Sequence, residues 1–382
     1  MAASHGDGSP APIEATRRAY VETQERDEDE ERLPPGPTAT YNRFLIRRLN
    51  RRDVLHAATG FGVAAAFRVA AQNSSTIPAW PTELRQLAPG VYAYVQAGGP
   101  GVPSVSVSNA GLVAGDDHTL VIDALGAPMH AKNFIAAARR AEPAKPFGQI
   151  ALTHHHTDHI VGLPLFPKVD IVAHEYCRQA MLETKFPTAT WPKQEGWAEG
   201  GEARIIVPPT TTIREKTTLY CGNVVVELIP MVPAHTYGDL VAYLPQHKVL
   251  FAGDVGFFWV TPFLNNGHAT KWIEACDRIL DMDVEKIIPG HGPVGGKKEL
   301  ADMQGYLRLF KSEARLRFNE GMSPGKACAS IKMGKYESWI GESDRRPLNM
   351  VRLYAEFSGT LTPATDTEGV RNATVEFNAL RK

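Results

Sequence analysis

The sequence predicts an α/β fold with a metal centre at the ends of its strands, and three observations predict it. Apolar strand-like runs alternate with helical stretches between residues 119 and 184, which is what an α/β sandwich needs. The stretch Thr153-His154-His155-His156-Thr157-Asp158-His159 follows the apolar run Gln149-Ile150-Ala151-Leu152, so a strand ends by releasing several potential ligands onto one short loop. Three later strand-like runs each end in a small residue or proline followed by one ligand-capable side chain: His235, Asp254 and His291.

Taken in order, the chain opens with a polar tail over residues 1–49. It includes Glu25-Arg26-Asp27-Glu28-Asp29-Glu30-Glu31-Arg32 and is too poor in apolar residues to offset its ordering entropy, which predicts disorder. Its acidity counts against an organellar transit peptide. Residues 50–78 resemble a twin-arginine export signal and linker, with Asn50-Arg51-Arg52-Asp53-Val54-Leu55 leading into an Ala/Gly-rich apolar run and Val69-Ala70-Ala71 offering small residues for cleavage. The expectation is export to the periplasm or beyond by the twin-arginine machinery, with a cytoplasmic protein as the alternative. The apolar run is too short for a stable membrane anchor.

A catalytic domain is expected over 79–300. Val91-Tyr92-Ala93-Tyr94-Val95 alternates as a strand, residues 98–103 form a glycine-rich turn, and Ser104-Val105-Ser106-Val107-Ser108 alternates again. Thr119–Ile122 is strand-like and ends at Asp123, and Met129–Ala141 has helical composition closed by Pro143. After the histidine loop come a strand over Val169–Ala173, a helix over Glu175–Thr184 and an aperiodic loop over 186–203. Strands follow at 224–230, 248–251 and 284–288. A helical extension is expected over 301–382: Lys297–Glu313, a helix starting at Ser323-Pro324, and Met350–Glu356. It could cap the site or form a homodimer face. Cys177, Cys221, Cys276 and Cys328 have no C-x-x-C spacing, which argues against a cysteine zinc site.

In an extended segment alternate side chains share a face, so His154, His156 and Asp158 would point one way and His159 another. That suits two metals, one gripped by His154 and His156, the second by Asp158 and His159. A single zinc site rarely needs both pairs.

With His154-x-His156-x-Asp158-His159 followed by His235, Asp254 and His291, the sequence resembles the metallo-β-lactamase-fold superfamily of metallohydrolases over roughly residues 88–300. The resemblance implies a four-layer αβ/βα sandwich with two metals in the cleft between its sheets. It gives the first metal His154, His156 and His235, the second Asp158, His159 and His291, and makes Asp254 the bridge. It also implies that Asp123 supports the histidine loop, where an ordinary strand-end turn residue is the alternative. True β-lactamases of the fold place Cys or Ser at the bridging position, whereas Asp254 resembles hydroxyacylglutathione hydrolases, lactonases and organophosphate hydrolases.

Imidazole and carboxylate ligands suit two zinc ions per chain, and iron or manganese would also fit. Two such ions roughly 3.5–4 Å apart can share a water, lower its pKa and present a bridging hydroxide to a carbonyl or phosphoryl centre. Asp158 would orient that water and relay its proton. The expected function is hydrolysis of an ester, lactone or thioester in a small-molecule substrate. The alternatives are a phosphotriester or β-lactam on the same site, or a mononuclear iron enzyme resembling persulfide dioxygenases. Phe257, Phe258 and Trp259 would form an apolar substrate wall or fill core. No basic cluster stands near the motifs, which weakens a glutathione thioester. The net charge of −1 with 22% charged residues argues against nucleic acid.

Overall fold

The computed structural model describes residues 77–102, 107–183 and 205–381. The tail 1–49, the arginine-pair segment through residue 76 and the loop 186–203 lie outside the described residues. One sheet holds β1 (Glu83–Ala88), β2 (Val91–Val95), β3 (Ala110–Ala114), β4 (Thr119–Ile122), β5 (Phe147–Ala151), β6 (Asp170–His174) and β7 (Thr211–Ile213) in that spatial order. It is antiparallel from β1 to β4 and parallel from β4 to β7. The second sheet runs in space from β12 (Lys286–His291) through β11 (Val249–Phe257), β10 (Leu240–Leu244) and β9 (Val224–Pro230) to β8 (Thr217–Cys221). Only β11 and β12 pair in parallel there.

Strands buried on both faces read as continuous apolar runs rather than alternations. β3, β4, β10 and β11 are buried at every residue, so each sheet must be covered twice. One apolar layer lies between the sheets, where Val91, Val113 and Leu120 meet Val226, Leu240 and Phe251. Behind the first sheet, α1 (Pro128–Ala141) and α3 (Glu175–Glu183) contribute Phe134, Ala138, Cys177 and Met181. Behind the second, α4 (Ala269–Asp281) and α5 (Lys297–Asn319) contribute Trp272, Ile279, Tyr306 and Phe310. This is the helix–sheet–sheet–helix sandwich that the sequence predicts.

The helices after α5 join the same apolar layer: α6 (Pro324–Ser330) through Cys328, α7 (Glu342–Phe357) through Met350 and Leu353, and α8 (Thr367–Leu380) through Phe377. α5 runs six residues past its expected end, and α8 had no expectation. α7 starts eight residues earlier than the pattern suggests, because Pro347 sits inside it and reads as a breaker.

The strand expected over 104–108 is not found where it can be seen. Residues 103–106 lie outside the described set, and Val107 and Ser108 are not strand. The polar groups here bond across the fold instead of along a ladder: Ser108 Oγ donates to the Asp158 carbonyl in the helical turn Thr157–Ile160 at 2.5 Å, and Asn109 N–H to the Gly290 carbonyl of β12 at 2.8 Å. All four cysteines are buried and unpaired. Among the described residues no helix is long and apolar enough to cross a membrane.

Candidate metal centre

His154 and His156 leave β5 on the loop before α2 (Thr157–Ile160), a single helical turn that carries Asp158 and His159. The expectation of one extended segment through Asp158 is therefore corrected. His156 is still extended (φ −68°, ψ 149°), but His159 N–H then bonds the His156 carbonyl at 3.0 Å and the chain coils. The turn carries Asp158 and His159 away from the first pair. His235 sits between β9 and β10, Asp254 within β11 beside a break in its register with β12, and His291 closes β12. Such irregularities re-aim side chains.

Two glycines make room for this. Gly253 has φ +50°, and a Cβ there would come within 2.5 Å of Thr153. At Gly290 a Cβ would stand 1.8 Å from Asp254 Oδ1, so any larger residue would displace that carboxylate.

The seven side chains form two groups that share Asp254, and the ligand atoms within each lie no more than 4.8 Å apart. In the first, His235 Nε2 is 2.8 Å from His156 Nδ1 and 3.2 Å from Asp254 Oδ2, and His154 Nε2 is 3.7 Å from the same oxygen. In the second, His291 Nε2 is 3.1 Å from Asp158 Oδ2 and 3.3 Å from Asp254 Oδ2, with His159 Nε2 3.1 Å from Asp254 Oδ1. Despite these distances, His154 Nε2, His159 Nε2 and Asp254 Oδ1 are buried without hydrogen-bond geometry to any partner. A buried polar atom left in that state costs about 1–3 kcal/mol. Nitrogen and oxygen lone pairs converging in this way fit divalent cations in both groups.

The outward atoms set the tautomers. His159 Nδ1 donates to Asp123 Oδ2 at 2.8 Å, His154 Nδ1 to Thr153 Oγ1 at 3.1 Å, and Thr153 Oγ1 passes a bond on to Asp123 Oδ2 at 2.7 Å. His156 Nε2 donates to Asn266 Oδ1 at 2.9 Å. In the neutral form of each ring the nitrogen facing the cluster keeps its lone pair. Asp123 takes a left-handed turn (φ 60°), bonding His159 directly and reaching His154 only through Thr153, and is 2% exposed. Non-glycine residues adopt that conformation only where neighbours enforce it.

Charge divides the two groups. Burial pulls His154 well below its usual pKa and His235 down to about 3, leaving both neutral. Burial also opposes charge on His159 and His291. There Asp254 and Asp158 outweigh it, pushing His159 well above its usual value and His291 up to about 9. Burial would raise Asp254, but the surrounding histidines hold it far below the carboxylate range. Cations entering the second group would therefore release protons.

The pattern of the metallo-beta-lactamase superfamily matches residues 103–291. The chain belongs to the metallo-beta-lactamase superfamily. Within the superfamily it is 27% identical over 211 residues to the acyl-coenzyme A thioesterase MBLAC2 of Gallus gallus, covering 50% of this chain and 75% of that one. It is 21% identical to the linear primary-alkylsulfatase of a Pseudomonas strain, covering 56% of this chain and 48% of that one. Metallo-beta-lactamase type 2 of Bacillus cereus is 26% identical over 39% of this chain and 53% of its own. Among solved structures, the inverting sec-alkylsulfatase Pisa1 from Pseudomonas sp. superposes with a TM-score of 0.56 at 18% identity over 73% of this chain. The chain spans half the length of that structure, and the likeness shows the fold alone. Fold, donor groups and relatives together support an enzyme of the hydrolase type.

His155 belongs to neither group, its ring lying 6.0 Å from Tyr176. Phe257 and Phe258 are both buried in the core, Phe257 also stacking on His291 at 4.9 Å and 13°, whereas Trp259 is half-buried with φ 63°. Sequence reasoning missed several supports. Asn109 Nδ2 donates to the Pro289 and Gly292 carbonyls on either side of His291, and Trp272 packs 5.2 Å from the His235 ring. Asn266 holds His156, and Arg345 lies over Phe257. None carries a local signal, since each acts across the fold rather than along the chain.

Proposed function

We propose that the chain is a metal-dependent hydrolase of an ester, lactone or thioester in a small-molecule substrate, with zinc in both donor groups. The observation that carries this reading is the pair of groups sharing Asp254. His154, His156 and His235 would hold one ion, Asp158, His159 and His291 the other, and Asp254 both. Such a pair supplies Lewis acidity and a water acidified towards neutral pH.

The remaining work falls to the protein. Asp158 reaches His291 with Oδ2 and is 22% exposed, so it borders the open side of the cluster and is placed to accept a proton from an attacking water. Burial and the nearby Asp254 oppose its charge, but His159 and His291 outweigh them and hold it ionised. Asp123 and Asn266 keep ligand nitrogens aimed inward, and Phe257 backs His291 with an apolar face. The thioesterase relative favours a thioester among the three bonds, and Asp254 at the shared position weighs against a β-lactam.

The test is metal content per chain by elemental mass spectrometry on protein purified without added metal, with ester, lactone, thioester, phosphotriester and cephalosporin substrates assayed on the same sample. Near two zinc ions with turnover of an ester, lactone or thioester is the expected result. One iron per chain with oxygen consumption overturns it.

A further inference from the structure

Three arginines stand on α7, and two of them are committed to the fold. Arg346 pairs with Glu342 at 2.7 Å and donates to the carbonyls of Cys328 and Ile331. Arg352 donates to the carbonyls of Thr362, Ala364 and Gly267. Arg345 differs: its Nη1 donates to the Thr261 carbonyl, and among the described residues no ion pair involves it.

Its surroundings hold it in place near the donor groups. The guanidinium carbon lies 5.6 Å from the centre of the Phe257 ring and 5.3 Å from that of Phe263, and Phe257 stacks in turn on His291. Gly341 gives it room, since a Cβ there would come within 3.2 Å of Arg345 Nε. Burial pulls its pKa below the usual guanidinium value, while Asp254 and Asp158 push it back up. A guanidinium has five N–H donors, and one is used within the chain. The side chain is half-buried, so the others are only partly served by solvent. Two divalent cations would also set four positive charges against the carboxylates Asp158 and Asp254, which favours an anion next to them.

We propose that Arg345 recognises an oxyanion carried by the substrate, a carboxylate, sulfate or phosphate, and so selects negatively charged substrates at the candidate site. The word substrate rests on the hydrolase reading; the anion site does not. A planar fork engages two oxygens at once, which a lysine cannot do. The helical extension thereby contributes specificity to a site whose donors all come from the α/β part.

The experiment uses the full chain with the metal it retains on purification. Sodium sulfate, phosphate and acetate are titrated calorimetrically into the wild type, Arg345→Met and Arg345→Lys, each checked for folding by its thermal melt. In parallel, kcat/KM is measured for 4-nitrophenyl acetate and for the mono-4-nitrophenyl ester of succinate. The wild type is expected to bind at least one anion, and which one it prefers separates the three sources. Arg345→Met should weaken that binding at least about tenfold and lower the anionic-to-neutral kcat/KM ratio by a similar factor, with Arg345→Lys recovering part of both. Anion binding equal in wild type and Arg345→Met, or absent from the wild type, overturns the proposal. If neither ester is hydrolysed, the hydrolase reading falls alone and the calorimetry still decides the anion site. If both are hydrolysed with an unchanged ratio and unchanged anion binding, Arg345 falls and the hydrolase reading stands.

Discussion

The α/β part and the helices after residue 296 reach the same cluster by different routes. In the α/β part the seven donors stand at strand ends or beside a strand irregularity, each announced by residues a few positions away: Gly253 before Asp254, Gly290 before His291, the turn Thr157–Ile160 after His156. The later helices supply no donor among the described residues. Their side of the molecule touches the donors at one remove: Arg345 lies over the Phe257 ring that stacks on His291, and the Pro363 carbonyl takes the amide of Asn266, which holds His156. Local geometry builds the cluster; long-range packing tunes it.

The sharpest challenge to that division is at the residue both groups share. Asp254→Ala removes the only carboxylate common to them, so at least one metal per chain should be lost and hydrolysis should fall below detection while the fold survives. Elemental analysis, turnover and circular dichroism check the three parts. Two retained metals with full turnover would mean that the groups do not depend on a shared ligand.

The next effect tests the reverse dependence, of the α/β part on the extension. The N-cap residue of α4, His268, makes no side-chain capping bond. Glu356 of α7 does this from outside, accepting from Ala269 N–H at 2.8 Å and Thr270 N–H at 3.3 Å, with His268 Nδ1 at 3.3 Å and Lys311 Nζ at 3.8 Å. Burial works against its charge, but His268, Thr270 and Lys311 outweigh burial and hold its pKa down to about 2, from 4.5. A depressed carboxyl stabilises the fold above its unfolded pKa, and that contribution is lost as pH falls through the folded one. The window is therefore pH 4.5 down to about 2, and the contribution is about 3 kcal/mol. Unfolding of the wild type followed against pH should show that loss, and Glu356→Gln should be less stable at neutral pH with a flatter acid limb.

The fold and the donor set were legible because both rest on short-range pattern. Continuous apolar runs give strands buried on both faces, and ligands follow those runs within a few residues. The course of 157–160 was misread because Thr157 and Asp158 allow an extended chain as readily as a helical turn. At Val107 and Ser108 the alternation misled for a related reason: the carbonyls of Asp158 and Gly290, which take up Ser108 and Asn109, are 50 and 181 positions further along the chain. α7 was half hidden by Pro347, and Arg345 lies in the hidden half.

Asp123 tests whether the outer bonds matter as much as the donors. It accepts from His159 Nδ1, Thr153 Oγ1 and, through Oδ1, Thr153 N–H at 2.8 Å. Asp123→Asn keeps the volume but puts an amide donor against one of those donors. The expected loss is about 10–100-fold in metal affinity, measured by competition with a chelator, with activity following it. A loss of activity at full metal occupancy would instead place Asp123 in the reaction itself.

The smallest effect probes the seam between the two regions. Asn266 accepts from His156 Nε2 with its oxygen and donates from Nδ2 to the Pro363 carbonyl at 2.7 Å, so one side chain links a donor to the segment between α7 and α8. Asn266→Ala removes both bonds and should weaken metal binding by about tenfold, the lower end of what an outer partner contributes. Asn266→Asp separates them: a carboxylate still accepts from His156 but has nothing to give Pro363. If Asn266→Asp binds metal as the wild type does, the bond to His156 is what counts and the extension only rests against it. If it binds as weakly as Asn266→Ala, the orientation of His156 depends on Pro363, and the helical extension helps to set the geometry of the first donor group.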